Sequence, residues 1–305
     1  MTNSKVETLV ILAAGRGSRF GGAKQFHPFG RLKKTLMEYN ICHAIKNGFK
    51  EVVFITQQIH GEQLISQVIN HLPTQITSSI VFQNITDLPE GCFLADSREK
   101  PLGTAHALWC ARDAIKGNFV VINADDYYGQ QAFALISAIP ENYSSAIVAY
   151  QLTKTLSENG GVNRGICQLS ENNELLALSE CENIQQVDHK IRGELSSITD
   201  DIELNENTLV SMNFWYFNQQ IFPLLKQLLL NTFKSDSIQL DSADKKECYL
   251  PDVIALLNNN GEHPTKVLTS HDAWFGVTYA ADSDNVNNKL TGLADRGLFS
   301  ALSQN

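Results

Sequence analysis

Long apolar runs are absent from this sequence of 305 residues, and its opening residues lack the apolar segment of a secretion signal. A membrane-spanning helix needs about 20 consecutive apolar residues, so the sequence predicts no membrane partner. The six cysteines are scattered, without a Cys-x-x-Cys pair or a histidine cluster. We therefore expect reduced thiols and a cytoplasmic protein.

Positive charge is also scarce. The chain has 24 lysines and arginines against 33 acidic residues, which gives a formal net charge of −9. Proteins that bind nucleic acids present a basic surface, so this balance predicts no nucleic-acid partner. Any polyphosphate ligand must then be held by a few local cations and a metal ion. The sequence also lacks the Ser-His-Asp and Cys-His patterns of nucleophilic catalysis.

A glycine-rich loop follows the first predicted strand, whose apolar residues stand at 9–12. Small residues let the backbone approach a ligand closely, and glycine lets N–H groups turn inward together. Arg19 and Lys24 add positive charge that suits a polyphosphate. The Walker motif does not fit, because Ala23 separates the last glycine from Lys24. The dinucleotide fingerprint does not fit either, because Phe20 replaces its third glycine.

The pattern Leu-Ala-Ala-Gly-x-Gly-x-Arg at residues 12–19, followed by Lys-Gln, resembles the nucleotidyltransferases that join a nucleoside triphosphate to a sugar 1-phosphate. The resemblance implies an α/β fold: a Rossmann-like, glycosyltransferase-A-type core with a mostly parallel mixed sheet, plus a small helical C-terminal extension. It implies that Arg19 and Lys24 are catalytic and steady the triphosphate and the departing pyrophosphate. The residues implied to bind the nucleotide through the loop are Ala13, Ala14, Gly15 and Gly17.

A second match, Pro-Leu-Gly-Thr-Ala at residues 101–105, resembles the segment that opens a helix in this family. The resemblance implies that Gly103 and Thr104 bind the nucleotide, and Thr104 can also cap the helix. Thymidylyl and uridylyl enzymes carry a base-reading glutamine three residues before the proline, where this chain has Arg98. Because arginine only donates hydrogen bonds, we expect Arg98 to favour a base with a carbonyl, namely uracil, thymine or guanine, over adenine. The resemblance of residues 101–105 to the uridylyl and thymidylyl enzymes then implies UTP or dTTP first.

A third match, Asn-Ala-Asp-Asp at residues 123–126, follows a predicted buried strand. It resembles the family's Gly-Asp motif and implies that Asp125 binds Mg²⁺, an ion that needs only one or two protein carboxylates. We interpret Asp126 as a capping or supporting residue. The family's second metal carboxylate comes late in the chain, and Asp282 is the candidate here. Asp282 is equally interpreted as an N-cap of the last helix.

The acceptor site rests on three weaker matches, at Gly165, Glu180 and Asn213. In the resembled family these positions contact the sugar. The family usually follows the glutamate with a lysine for the sugar phosphate, and this chain has Cys181 there. Arg164 and Lys190 are the two candidate replacements.

Alternating apolar strands and helical segments predict a largely parallel sheet with helices on both faces. We divide the chain into a nucleotidyltransferase core, residues 1–235, and a C-terminal extension, residues 236–305, that completes the core and adds a terminal helix. Predicted helices cover 35–47, 61–71, 104–116, 131–139, 219–232, 251–258 and 283–302. Predicted strands after the first cover 51–56, 80–83, 119–122, 145–151, 165–169, 175–179, 209–217, 266–268 and 274–278.

These observations predict a magnesium-dependent enzyme of nucleotide-sugar biosynthesis that transfers a nucleotidyl group from an NTP to a sugar 1-phosphate and releases pyrophosphate. Its expected partners are the NTP and a phosphorylated small-molecule acceptor, and a homo-oligomer is left open. One alternative is the same transfer to a non-sugar phosphate, such as phosphocholine or a phosphonate. The other is a catalytically silent regulatory or scaffold subunit, against which the joint presence of Arg19, Lys24 and Asp125 counts.

Overall fold

The computed structural model describes residues 6–15, 23–95, 97–140, 142–195, 201–234, 246–259, 264–277 and 281–302. Its strands are β1 (Thr8–Leu12), β2 (Glu51–Thr56), β3 (Thr77–Phe82), β4 (Phe119–Asn123), β5 (Asp126–Tyr127), β6 (Ser145–Gln151), β7 (Val162–Leu169), β8 (Leu175–Val187), β9 (Lys190–Leu195), β10 (Asp201–Leu204), β11 (Leu209–Phe217), β12 (Lys266–Ser270) and β13 (Phe275–Gly276). Its helices are α1 (Leu36–Lys46), α2 (Gly61–Gln67), α3 (Thr104–Cys110), α4 (Gln130–Ser137), α5 (Ile221–Thr232), α6 (Val253–Asn259) and α7 (Asp282–Asp295).

Eleven of the described strands form one mixed sheet. Strands β3, β2, β1 and β4 lie side by side and run parallel. Both faces of this part are covered, which explains why β1, β2 and β4 appear in the sequence as continuous apolar runs. Antiparallel pairing then continues through β11, β7, β8, β9 and β10. The predicted mixed α/β sheet is therefore confirmed, and residues 13–15, where the glycine-rich loop begins, follow one of its parallel strands.

Strand β11 joins the two halves of the sheet. Its carboxyl half pairs with β4 and its amino half with β7, while β6 runs along its other edge. The register shifts between Ser211 and Phe214, and Asn213 there has a φ of 65°. Asparagine tolerates this left-handed conformation better than most residues. The two partners of β11 thus diverge at Asn213.

Helices cover both faces of the sheet, as the alternating pattern predicts. Helix α1 begins with a capping box, in which Thr35 Oγ1 accepts from the Glu38 N–H and the Glu38 carboxylate accepts from the Thr35 N–H. On one face, α1 and α4 bury residues such as Ile41 and Phe133. On the other face, α3, α5 and α6 bury residues such as Leu225.

The C-terminal part of the chain is built into the same structure. Strand β12 runs parallel to β6 in the main sheet, and β13 pairs with β5. Helix α7 packs near Phe29 and Tyr39, and Asn287 Oδ1 accepts a hydrogen bond from the Gly30 N–H at 2.7 Å. The predicted C-terminal helix is therefore present. None of the described helices combines the length and the apolar character needed to cross a membrane.

Several predicted boundaries differ from the structure. The helix predicted over 104–116 ends at Cys110. Strand β8 continues to Val187, where the sequence predicts an end at Ser179, and β9 and β10 are not predicted at all. These strands carry many exposed polar residues, so they lack the apolar runs on which the predictions depend. The polar segment at 234–246 lies almost wholly outside the described residues.

Candidate active site

The parallel strands deliver the first part of the glycine-rich loop to one edge of the sheet. The carboxyl ends of β1, β2 and β4 are in register. Just beyond them, Thr56 Oγ1 donates to the Ala13 carbonyl at 3.3 Å, and Gln57 Nε2 donates to the Ala14 carbonyl at 2.7 Å. The loop therefore leaves β1 with its first two residues anchored to the last residue of β2 and to the residue after it.

Gln25 ties the two ends of the glycine-rich loop together. Its side chain is buried, with the residue 5% exposed, and its Nε2 lies 3.5 Å from the carbonyl oxygens of both Ala13 and Gly15. Arg19, predicted to be catalytic, and Gly17, predicted to bind the nucleotide, lie outside the described residues. Their roles stay predictions.

Lys24 and Asp125 meet at this edge. Lys24 Nζ lies 2.6 Å from Asp125 Oδ2 and donates to the Val277 carbonyl at 3.0 Å. Their side chains are 23% and 29% exposed, so both groups remain accessible to a ligand. The cation predicted to be catalytic and the carboxylate predicted to bind metal are therefore direct neighbours.

Asp126 belongs to a hydrogen-bond network beside that pair. Its Oδ2 accepts from Asn123 Nδ2 at 2.8 Å and from the Tyr128 hydroxyl at 3.3 Å. Burial and the charge of Asp125 raise the pKa of Asp126 to about 7. These contacts favour the interpretation of Asp126 as a supporting residue and leave Asp125 as the candidate ligand.

Gly276 lies in close contact with Asp126. It pairs with Asp126 across β13 and β5, and a Cβ added at Gly276 would lie 2.3 Å from Asp126 Oδ1. A side chain at position 276 therefore requires Asp126 to move.

Asn213 connects the predicted acceptor side to the carboxylates. Its Nδ2 donates to Asn123 Oδ1 at 3.2 Å, and its Oδ1 accepts from Trp215 Nε1 at 2.8 Å. Asn123 in turn donates to Asp126. The left-handed backbone at Asn213 thus turns its amide toward the end of β4, and a chain of hydrogen bonds runs from β11 to the candidate metal site.

Gly165 and Glu180 lie directly opposite each other on β7 and β8. Gly165 also pairs with Ser211 of β11, and a Cβ added at Gly165 would lie 4.0 Å from Glu180 Oε2. Burial raises the pKa of Glu180, with a further contribution from the charge of Glu182. The predicted acceptor residues therefore stand on three neighbouring strands, β8, β7 and β11.

The structure distinguishes the two candidate replacements for the lysine that Cys181 displaces. Lys190 forms an ion pair with Glu203 at 2.8 Å between two exposed strands. Arg164 lies directly opposite Cys181 across β7 and β8, so the two side chains share one face of the sheet. Its guanidinium lies 4.9 Å from the centre of the Trp274 ring. Arg164 is therefore the better placed of the two, although its guanidinium already donates to the Thr155 hydroxyl and to the carbonyls of Thr155 and Asn163.

Gly103 is required by a close contact within the chain. It has a φ of +93°, and a Cβ added there would lie 2.3 Å from the Cys248 carbonyl oxygen. The N-cap of α3 is Gly103 itself, whereas Thr104 Oγ1 accepts from the Leu250 N–H at 2.9 Å. The prediction that Thr104 caps the helix is therefore wrong, because its hydroxyl is used by a distant segment. Contact of Gly103 and Thr104 with a nucleotide stays a prediction.

Arg98 braces the chain that leads into α3. The residue is 5% exposed, and its guanidinium donates to the carbonyls of Lys100 and Pro101, both at 2.9 Å. Two of its donor atoms thus already serve the backbone. This arrangement argues against the expectation that Arg98 faces a nucleobase.

A glutamine that the sequence reasoning missed lies beside Gly103. Gln83 directly follows β3, at the carboxyl edge of the parallel strands, and its Nε2 donates to the Gly103 carbonyl at 3.0 Å. Counting three residues back from Pro101 leads instead to Arg98, because residues 84–98 intervene between the strand and the motif. The signal that identifies Gln83 is its place at the end of a parallel strand, not its distance from the proline.

Asp282 is the first residue of α7, and its N-cap is Ala281. The interpretation of Asp282 as the N-cap is therefore wrong. Its Oδ1 accepts from Asn159 Nδ2 at 2.7 Å and from the Ser157 hydroxyl at 3.3 Å. These bonds tie α7 to the loop before β7, and metal binding by Asp282 stays a prediction.

An open cavity of about 1130 Å³ borders this region, and its lining includes Arg164, Trp274, Gly276, Asp282 and Lys289. Gly276 connects the cavity to Asp126, with which it is in contact. Within the described ranges, no three or more histidine, cysteine or acidic residues come together as a metal cluster.

Residues 8–254 match the family model described as nucleotidyl transferase, which is more than half of the chain. The chain belongs to the nucleotidyl transferase family. In this nucleotidyl transferase, the glycine-rich loop, Lys24 and the carboxylates of residues 125–126 all fall within the matched region. Helix α7, which carries Asp282, lies beyond it.

Curated relatives are similar over part of their length. The bifunctional protein GlmU of Mycobacterium marinum is 24% identical over 259 residues, which cover 83% of this chain and 44% of that protein. The UTP–glucose-1-phosphate uridylyltransferase of Bacillus subtilis is 29% identical over 134 residues, which cover 40% of this chain and 45% of that protein. The matched segments thus span less than half the length of these relatives.

A solved structure shows the same fold. The inositol-1-phosphate CTP transferase from T. maritima superposes with a TM-score of 0.62 at 15% sequence identity, and the likeness covers 98% of this chain and 97% of that one. The nucleotidyl transferase fold of this chain therefore extends beyond the segment matched by the family model, through α7.

Proposed function

We propose that this chain transfers a nucleotidyl group from a nucleoside triphosphate to a phosphorylated small molecule, with a sugar 1-phosphate as the first candidate acceptor. The observation that carries the proposal is the ion pair between Lys24 and Asp125, at the sheet edge beside the glycine-rich loop of a nucleotidyl transferase. It supplies one cation for phosphate oxygens and one carboxylate for a metal ion, which are the charges that this transfer needs.

The chemistry needs little covalent participation from the protein. An oxygen of the acceptor phosphate attacks the α-phosphorus, a new oxygen–phosphorus bond forms, and the bond to the β-phosphate oxygen breaks. Pyrophosphate leaves with the electron pair of that bond. The acceptor phosphate is already anionic at neutral pH, so no general base is required. The residues therefore act by alignment and by charge stabilisation.

Lys24 stabilises the negative charge that moves toward the departing pyrophosphate. Its Nζ lies between the Asp125 carboxylate and the Val277 carbonyl. Carboxylate and carbonyl oxygens are the donors that Mg²⁺ takes, so these residues fit a magnesium ion that enters with the triphosphate and binds Asp125. When bound, the ion neutralises charge at the reacting phosphate. Arg19 is proposed to assist Lys24.

The nucleoside is proposed to bind along the edge formed by Ala13, Ala14 and Gly15, with its base beside Gln83 and Gly103. The geometry that supports this is the register of the parallel strands, which aligns the ends of β1, β2 and β3. UTP or dTTP is the proposed donor. The T. maritima protein is named for CTP. The experiment should therefore compare donors that carry uracil or thymine with a donor that carries cytosine.

The acceptor is proposed to lie over β7, β8 and β11, where Glu180 and Asn213 offer polar contacts and Gly165 leaves room for a ring. Arg164 is proposed to meet the acceptor phosphate in place of the missing lysine. It lines the open cavity next to Gly276. Burial lowers the pKa of Arg164 to about 10, and the charges of Asp126 and Glu180 oppose this shift. Transfer to another phosphorylated molecule uses the same phosphate contacts and differs only in the contacts to Glu180 and Asn213.

The direct test incubates the purified chain with UTP, dTTP, CTP, ATP or GTP, magnesium chloride and a panel of phosphorylated acceptors. The panel contains sugar 1-phosphates, phosphocholine and a phosphonate, and pyrophosphate release is measured. We expect release that requires both magnesium and a sugar 1-phosphate. Release only with phosphocholine or the phosphonate transfers the proposal to a non-sugar acceptor. Absence of release with every combination contradicts an enzymatic function.

A further inference from the structure

The side-chain amide of Gln83 is held in one orientation. Its Nε2 lies 3.0 Å from the Gly103 carbonyl oxygen and 3.2 Å from His106 Nδ1. An amide oxygen at this point would face lone pairs on a carbonyl oxygen and on a ring nitrogen, so the amide nitrogen must occupy it. Both amide hydrogens are then used, and Oε1 is directed away from these two partners.

His106 can accept this hydrogen bond because its other ring nitrogen is already engaged as a donor. Nε2 lies 3.0 Å from the Asp87 carbonyl oxygen, so Nε2 carries the hydrogen and Nδ1 keeps its lone pair. The residue is 0% exposed, and burial lowers the pKa of His106 to about 4. The ring is therefore neutral near pH 7, with a single tautomer.

The contact that fixes His106 is itself anchored. The Asp87 carboxylate accepts from Arg112 Nη1 at 2.8 Å, in the turn that follows α3. The Asp87 carbonyl thus contacts His106 on α3, and the Asp87 side chain contacts Arg112 in the turn that follows α3. The segment after Gln83 is held against α3 from both sides, which prevents the imidazole from turning away.

We infer that His106 is a positioning residue that fixes Gln83 with Oε1 toward the nucleobase, so that the site selects bases with a hydrogen on the facing ring nitrogen. Uracil and thymine carry a hydrogen on N3, whereas cytosine has a lone pair there that would face Oε1. No described residue donates a hydrogen bond to Oε1, so this acceptor remains open to a ligand. The inference rests on the proposed function, in which the base lies beside Gln83.

The test compares equilibrium binding of UTP and CTP, with magnesium chloride, by isothermal titration calorimetry. His106→Phe keeps a ring but removes the acceptor, and His106→Asn restores an acceptor oxygen close to the position of Nδ1. Wild type should bind UTP more tightly than CTP. His106→Phe should lower this ratio about tenfold, the factor that one hydrogen bond of about 1.4 kcal/mol provides. His106→Asn should recover most of it.

A double-mutant cycle separates positioning from general damage. In a Gln83→Ala background, His106→Phe should no longer change the UTP to CTP ratio, because the amide that it positions is gone. Gln83 is partly exposed, so Gln83→Ala alone is expected to fold. This variant should also lose the preference for UTP, and it is the variant to measure if His106→Phe proves unstable.

Three results overturn the inference: tighter binding of CTP by wild type, an equal loss of both triphosphates in His106→Phe, or no measurable binding of either to wild type. Binding is independent of turnover. A protein that prefers UTP and loses the preference in His106→Phe, yet releases no pyrophosphate with any acceptor, contradicts the proposed function and leaves the role of His106 intact.

Discussion

Lys24→Met removes the charge from the ion pair with Asp125 while keeping a side chain of similar length. The two side chains are 23% and 29% exposed, so solvent screens their attraction. Loss of such a pair should cost about 1 kcal/mol of the free energy of unfolding at most. In a chain of this size that corresponds to a decrease in Tm of about 4 °C or less.

Turnover should respond far more strongly than stability. A preorganised charge that meets negative charge developing in the transition state contributes a factor of about 10²–10³, or about 2.7–4 kcal/mol. We therefore expect kcat/KM for pyrophosphate release to fall about a hundredfold or more in Lys24→Met. A large loss of rate with a small change in Tm is the signature of a charge used in catalysis rather than in folding.

Lys50→Met is the matched control for this experiment. Lys50 forms an ion pair with Glu7, and their side chains are 66% and 41% exposed, so the same chemical change is made outside the proposed site. Pyrophosphate release and thermal unfolding are measured for both variants in one buffer. Near-wild-type turnover of Lys24→Met, or an equal loss in Lys50→Met, refutes the catalytic role of Lys24.

Three further variants test neighbouring assignments. Asp125→Asn loses the anionic oxygen that a hard cation prefers, so turnover should fall at least about a hundredfold; recovery of the wild-type rate at high magnesium concentration contradicts a required carboxylate. Asp282→Asn should keep its Tm, because the amide oxygen still accepts from Asn159; a raised magnesium requirement identifies Asp282 as a ligand, and an unchanged one removes it. Arg98→Gln should leave two backbone carbonyls without their donors, at a cost of about 1–3 kcal/mol in the free energy of unfolding. The ratio of UTP to CTP affinity should stay unchanged. A changed ratio would indicate that Arg98 contacts the nucleobase.

Strands β1, β2, β4 and β6 could be predicted because their residues are almost all buried, on both faces of the sheet. Strands β2 and β6 have the bounds that the sequence predicts, 51–56 and 145–151, since continuous apolar runs between turn residues leave little choice. Strands β9 and β10 could not be predicted, because their segments are largely exposed and polar. Their pairing with β8 is a tertiary contact that local pattern does not encode.

The candidate site was predictable where one short motif carries the chemistry. The glycine-rich loop and the carboxylates at 125–126 each lie at the end of one strand, and the fold brings Lys24 to Asp125. Prediction failed where distant segments meet. The place of Gln83 beside Gly103, and the use of the Thr104 hydroxyl by Leu250, depend on contacts across 20 and 146 positions. No count along the chain reveals such contacts.

The most direct test of nucleotidyl transfer follows the α-phosphate itself. UTP labelled at the α-phosphorus is incubated with the purified chain, magnesium chloride and glucose 1-phosphate or another sugar 1-phosphate, and the products are separated. We expect the label to appear in a nucleoside diphosphate sugar together with unlabelled pyrophosphate, and this product should be reduced about a hundredfold or more in Lys24→Met. Label that stays in UTP, or that appears only as the free monophosphate with every sugar 1-phosphate, would contradict transfer to a sugar 1-phosphate.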